Sequence, residues 1–316
     1  MAVSPRSRSV AVGLTLAAAF ASATYYILVL AITPGTRPSA ILAYPFLIGG
    51  GAYAIAAIAT GHGRAFLQMW RQGAAYLRTS LLVVAQLAVL AATYLTGPVD
   101  ASLLSLIGDV IATPVLVAVL VGVHRPQLRS AGFVTGLLLS FAGGSMAIAG
   151  GHALAAVPPL GWIVVPAVPL SVAGYVLLVA RANERSAPMA VVGQSMIASG
   201  LVLVVLAPAI PGGWRGLAPF GWEPWSILVA LGLTSFFAAP VLYFAAIGRA
   251  GLLLPPMLMT GIPVFTLLLS AVVLHLRLPL VAVLGIPVAV VGGVLAIRGL
   301  SAPAGPLEVE LPGPAS

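Results

Sequence analysis

The chain contains no cysteine, no lysine and only six acidic residues among 316. Without cysteine there can be no disulfide framework, zinc-thiolate site, iron–sulfur cluster or thiol nucleophile. Charged residues make up 6% of the sequence, where a soluble domain uses about 25%. A water-facing surface cannot be built from that inventory. The fourteen basic residues are all arginine and give a net charge of +8. They are scattered one to three at a time instead of gathering on one segment, which speaks against nucleic acid as a partner. Scattering of this kind marks the ends of membrane spans. His62, His124, His152 and His275 fall near the ends of apolar runs without metal-ligand spacing, so neither a metal nor another cofactor is expected.

What the chain does have is apolar length. Hydrophobic residues make up 61% of it, and the 35 glycines and 26 prolines sit inside long apolar runs, where transmembrane helices tolerate both. A hydrocarbon core of about 30 Å needs roughly 20 apolar residues per helix. Runs of that length fall at 10–32, 41–60, 79–97, 101–123, 131–151, 159–181, 190–210, 226–248, 251–275 and 278–300. The expected fold class is therefore all-α integral membrane with ten transmembrane helices. With a cytoplasmic N-terminus, Arg6, Arg8, Arg64, Arg71, Arg78, Arg125, Arg129, Arg181, Arg185, Arg249 and Arg298 lie inside, and Arg37, Arg215 and Arg277 lie outside. Eleven against three obeys the positive-inside rule and predicts both termini in the cytoplasm.

Arg6, Arg8 and the triplet Ala21-Ser22-Ala23 imitate a cleavable signal peptide. The apolar run continues to Ile32, which suits a retained spanning anchor better. Trp214, Trp222 and Trp225 precede the eighth span and read as an interfacial aromatic belt or an aromatic clamp. The basic segment from His62 to Arg78, with Phe66, Trp70 and Tyr76, is expected along the inner interface. The proline-rich tail from Ser301 has too little to bury and is expected to be disordered. Abundant Ala, Gly, Pro and Arg suggest a GC-rich bacterial genome, hence a bacterial cytoplasmic membrane.

Sliding the chain on itself by 149 residues aligns it without a gap. Tyr26 meets Tyr175, Gly51 meets Gly200, Tyr94 meets Tyr243, and Pro114-Val115 meets Pro263-Val264. In the fifth span Val134, Gly136, Gly143, Gly144, Ala147, Ile148 and Gly150 meet Val283, Gly285, Gly292, Gly293, Ala296, Ile297 and Gly299. Roughly one position in nine should match by composition alone, so seven in seventeen is a repeat signal. An offset of five spans is odd, so the second copy enters the membrane from the opposite side. The expected organisation is a cytoplasmic N-terminus at 1–9, a first five-helix repeat at 10–151, a second at 159–300 and a cytoplasmic tail at 301–316. Two inverted five-helix repeats are the architecture of many secondary transporters, with the solute site near the midplane. Duplication retained only for packing would leave the same symmetry.

From Leu231 to Gly299 the chain carries Tyr243-Phe244-Ala245-Ala246, Ala250-Gly251-Leu252-Leu253, Pro263-Val264-Phe265, Gly285 and Gly292-Gly293, repeated more weakly from Thr93 to Gly150. In these residues it resembles the drug/metabolite transporter superfamily, specifically the ten-helix EamA type, as a divergent member. It departs from that pattern at the end of the ninth span, where members often carry a glycine-glutamate pair and this chain has His275-Leu276-Arg277. The resemblance implies alternating access through a central cavity lined mainly by spans one, three, four, six, eight and nine.

Asp109 is the only acidic residue placed within a span, and an intramembrane carboxylate is by default a functional candidate. Ser102, Ser105, Asp109 and Thr113 share one helical stripe. Pro114 follows and frees the carbonyl of Val110. Pro255, Pro256 and Pro263 around Thr260 repeat the interruption in the ninth span, a pointer to a transporter's binding site. Tyr26, Tyr94, Tyr175 and Tyr243 occupy equivalent positions, and Gln86 and Gln194 are mid-span polar groups that should point inward. The candidates for substrate binding or coupling are thus Asp109, Ser105, Thr113, Tyr26, Tyr175, Gln86, Tyr243 and Thr260, with Pro114, Pro256 and Pro263 as hinges. The bland alternatives are a protonated Asp109 capping a neighbouring helix, tyrosines anchored at the interface and prolines that merely kink.

The function expected is secondary active transport, as an exporter, of a small organic metabolite or drug, with Asp109 holding a proton or a cationic substrate. A flippase for a lipid-linked substrate and a structural membrane subunit are the alternatives. An enzyme is not expected, because no catalytic cluster converges. The expected partners are a small-molecule solute and the lipid bilayer, with the protein a monomer or homodimer.

Overall fold

The computed structural model describes residues 5–32, 36–96, 130–149, 159–183, 188–210, 212–218, 221–251, 254–273, 275 and 280–301. They form α1 (Pro5–Ile32), α2 (Pro38–Ala59), α3 (Gly63–Met69), α4 (Gly73–Thr96), α5 (Ala131–Ala149), α6 (Pro159–Asn183) and α7 (Pro188–Val205). Next comes α8 (Trp222–Leu231), running through a π-helical segment (Gly232–Ala238) into α9 (Ala239–Ala250). Then follow α10 (Leu254–Leu258), α11 (Ile262–Val273) and α12 (Leu280–Ser301). No strand occurs among the described residues.

Among the described residues, four stretches are long and apolar enough to cross a bilayer: Ser9–Val29, Pro38–Ala59, Gly73–Ala91 and Trp222–Ala250. Shorter apolar helices lie at Ala131–Gly143, Leu170–Val179, Met189–Val205, Val264–Val273 and Val283–Leu295. The fourth predicted span, with Ser105, Asp109, Thr113 and Pro114, lies outside the described residues. So does the tail beyond Ser301.

One boundary and two residue placements depart from the sequence reading. The third span was expected from residue 79, but α4 begins at Gly73, because Ala74, Ala75, Tyr76 and Leu77 extend the helix past the polar pair Arg78-Thr79. Arg78, counted there as an interfacial topology charge, is instead buried at 1% exposure. Trp225, assigned with Trp214 and Trp222 to one belt, stacks on Tyr44 with centroids 4.8 Å apart, whereas Trp222 is 85% exposed.

The interruption expected in the ninth span is present. The 3₁₀ turn Met259–Gly261 separates α10 from α11, next to Pro263, which has no amide hydrogen to offer the carbonyl of Met259. Within the eighth span the π segment ends just before Pro240, which likewise cannot bond to the carbonyl of Phe236. The Phe237 carbonyl accepts a hydrogen bond from the Tyr53 hydroxyl at 3.1 Å, so a side chain of α2 takes up part of what the irregular winding releases.

The helices pair as α2 with α7, α4 with α6, α1 with α9 and α5 with α12. The last pair is the closest. Cβ atoms added at Gly143 or Gly292 would land on the backbones of Ala289 and Ser140 respectively, and Ser140 donates to the Ala289 carbonyl at 3.3 Å. Small residues let helix backbones approach in lipid, where no hydrophobic force drives helix to helix. Gly143 and Gly292, like Ser140 and Ala289, differ by the 149 residues of the sequence offset.

Candidate functional site

A cavity of about 190 Å³ lies between α1, α4, α6, α7 and α9. Its walls are chiefly apolar: Leu82, Val172, Val176, Met196, Ala239, Pro240, Phe244 and Met259. Its polar groups are Ser22, Tyr175, Ser235 and Tyr243. A mostly apolar chamber with a few placed hydroxyls suits a mixed-polarity organic molecule.

The hydroxyl end is built where α1 crosses the π segment. The Thr24 hydroxyl lies 3.0 Å from that of Thr234 and 3.2 Å from that of Ser235, and its single proton can serve one of them at a time. Ser235 donates to the Ala21 carbonyl at 3.1 Å, and Thr234 returns to the Ala230 carbonyl at 2.8 Å. These bonds fix the irregular turn against α1. They hold Ser22 and Ser235 at the cavity wall.

The wall formed by α6 and α9 is aromatic, and a buried arginine lies behind it. Tyr175 is 6% exposed and stacks edge-on against Phe244 at 6.4 Å, which in turn meets Tyr243 at 5.4 Å. No hydrogen-bond partner meets the Tyr175 hydroxyl in good geometry; Ser195 and Arg78 are its polar neighbours. Arg78 donates to Gln194 Oε1 at 3.4 Å, and its Nε has no partner. Gln194, one of the inward-pointing glutamines, is 2% exposed.

A second cavity of about 380 Å³ abuts the first. Tyr53, Thr60, His62, Met189 and Val192 line it, and it shares Pro240 and Phe244 with the first chamber. His62 was read from sequence as interfacial. Nothing in the sequence tied it to Phe244, because that proximity depends on how α2 packs beside α9.

The other sequence-predicted candidates fall as follows. Tyr175 and Tyr243 line the first cavity. Tyr26 is buried edge-on against Tyr25, centroids 5.3 Å apart, and does not line it. Gln86 donates to the Tyr25 hydroxyl at 2.6 Å, a bond between α4 and α1. Gln86→Leu is expected to cost about 1 kcal/mol, since interhelical hydrogen bonds in membranes are modest; the melting temperature of purified protein measures it, and an unchanged value would show that the bond contributes nothing. Pro256, Thr260 and Pro263 lie in α10, the 3₁₀ turn and α11, while their side chains, like that of Tyr94, are outside the described set. Ser105, Asp109, Thr113 and Pro114 are outside it altogether. Among the described residues no group of histidines and carboxylates could hold a metal ion.

Residues 158–298, which include α6 to α11 and most of α12, match the EamA-like transporter family. The second half of this chain is EamA-like. One solved structure, described only as the crystal structure of a protein, is similar to this chain with a TM-score of 0.75 at 21% identity. That likeness covers 92% of this chain and 98% of the other, so the two share a fold over nearly their whole lengths. No curated protein matches. The family that this half matches is one of transporters. In this EamA-like half, Tyr175, Met196, Ser235, Pro240 and Tyr243 all face the first chamber.

Proposed function

We propose that the protein is a secondary active transporter that exports a small organic metabolite or drug across a bacterial cytoplasmic membrane by alternating access, with both termini in the cytoplasm. The observation that carries this reading is the cavity of about 190 Å³ whose walls come from α1 and α4 on one side and α6, α7 and α9 on the other. Its two groups of wall helices belong to stretches related by the 149-residue offset. Two inverted five-helix repeats, at 10–151 and 159–300, meeting at such a chamber would give the fixed central site around which one repeat rocks against the other.

Ser22, Tyr175, Ser235 and Tyr243 bind the solute in this reading. Breaks in the ninth span near Pro256, Thr260 and Pro263 supply compliance. Asp109, with Ser105, Thr113 and Pro114 on the fourth span, couples transport by holding a proton or a cationic substrate, as intramembrane carboxylates do in relays.

The test is uptake into proteoliposomes under an imposed pH gradient, using solutes first selected by thermal stabilisation of the purified protein. Wild type should accumulate the selected solute, and Asp109→Asn should lose gradient-driven accumulation while still binding it. Equal transport by wild type and Asp109→Asn would remove Asp109 from the mechanism. If no stabilising solute is transported, the carrier reading fails.

A further inference from the structure

Arg78 is the one described arginine buried within a membrane-spanning helix. It stands one turn along α4 from Leu82, a residue of the chamber wall. A guanidinium carries five N–H donors, yet this one makes a single long bond, 3.4 Å, to Gln194 and leaves Nε unsatisfied. The acidic residue among those described is Glu223, exposed at the start of α8. A buried cation with unfilled donors is strongly disfavoured unless something negative fills them.

A second buried donor lies beside it. The Tyr175 hydroxyl makes no hydrogen bond in good geometry, its side chain lines the chamber, and Arg78 and Ser195 are its polar neighbours. Two buried donor groups therefore stand together at one part of a chiefly apolar chamber, the tyrosine in its wall and the guanidinium behind that wall, one helical turn from Leu82. A carboxylate satisfies both, since its two oxygens can accept from the guanidinium and the phenol together. Ser22 and Ser235 also line the chamber, from α1 and the π segment.

We propose that the transported solute is a small organic anion, an apolar body bearing a carboxylate, and that Arg78 and Tyr175 bind its carboxylate. This rests on the transport reading above, and it leaves the proton as the role for Asp109. Arg78 supplies the charge, Tyr175 supplies a directed hydroxyl, and Gln194 holds the guanidinium in place. The apolar wall from Val172 to Phe244 receives the body of the solute.

Three probes of one shape separate the possibilities: 3-phenylpropionate, 3-phenylpropan-1-ol and 3-phenylpropan-1-amine, titrated into the full-length protein in nanodiscs. Wild type should bind the acid at least about tenfold more tightly than the alcohol or the amine. Arg78→Gln should weaken the acid by roughly tenfold to a hundredfold, the range for loss of a charge-assisted hydrogen bond, and leave the alcohol unchanged. Tyr175→Phe, which removes one oxygen from a packed ring, should weaken the acid several-fold and decides the matter if Arg78→Gln does not fold. Arg78→Lys, keeping charge without the fork, should fall between.

Binding of the amine as tight as that of the acid, no binding of the acid, or an Arg78→Gln or Tyr175→Phe protein with wild-type affinity for the acid would each overturn the proposal. Proteoliposome flux keeps the two readings apart. If the alcohol or amine is transported and the acid is not, only the anionic assignment falls. If none of the three moves while the acid still binds at Arg78, the anion site stands and transport is what fails.

Discussion

Gly292→Ala is expected to lower the stability of the protein by about 3 kcal/mol, the upper range for forced overpacking of a buried contact, while Gly293→Ala next to it leaves stability unchanged or raises it. The same methyl group is added in both. At Gly292 it would land on the backbone of Ser140, and neither chain has a flexible side chain there to yield. At Gly293 the nearest atom is Ser140 Oγ, 3.9 Å away, so the substitution gains the roughly 0.5–1 kcal/mol by which alanine exceeds glycine in a helix. Melting of the two purified variants side by side measures the difference. A Gly292→Ala protein that melts with wild type would show that α5 and α12 are not held at the separation seen here. Gly143→Ala, colliding with the Ala289 backbone, should reproduce the loss.

Ser22→Trp is expected to reduce transport to background with little change in melting temperature. Ser22 faces the first chamber from α1 and is only partly covered, so an indole can enter the space without displacing backbone. An indole is comparable in size to a chamber of about 190 Å³, and a filled site binds no solute. Ser22→Ala serves as the control and should keep most of the flux. Transport at the wild-type rate by Ser22→Trp would mean that solute passes elsewhere, either by the second cavity or along the lipid-facing side as a flippase would handle it.

Much of this architecture was legible because membrane spans are written in apolar length, which survives without any knowledge of neighbours. The α5–α12 contact was foreshadowed by glycines repeating at Gly136, Gly143, Gly285 and Gly292, since small residues at such spacing permit close approach. Arg78 was misread because charge counting treats every arginine near a span end as a marker of topology. Its burial follows from α7 bringing Gln194 alongside, a contact between residues 116 apart in sequence. The chamber was half visible: matching tyrosines pointed to Tyr175 and Tyr243, but Tyr26 packs away against Tyr25, and Ser22 and Ser235 carry no signal of their own. Gly232-Leu233-Thr234-Ser235 reads as ordinary helix, and the winding of that stretch is imposed by Thr24, Tyr53 and Pro240.

That winding also sets residues related by the 149-residue offset out of phase. Counterpart residues in α4, near 83–89, follow a regular α-helix, while Gly232–Ala238 uses a wider turn with the same number of residues. One residue of slack in such a coil rotates everything after it by about 100° relative to a regular helix. Pro240, Tyr243 and Phe244 owe their direction to that rotation. Removing Leu233, which is exposed and does not line the chamber, would restore an even coil and swing all three off the chamber wall, so a lesion of three nucleotides that keeps every lining residue in the chain would erase the site.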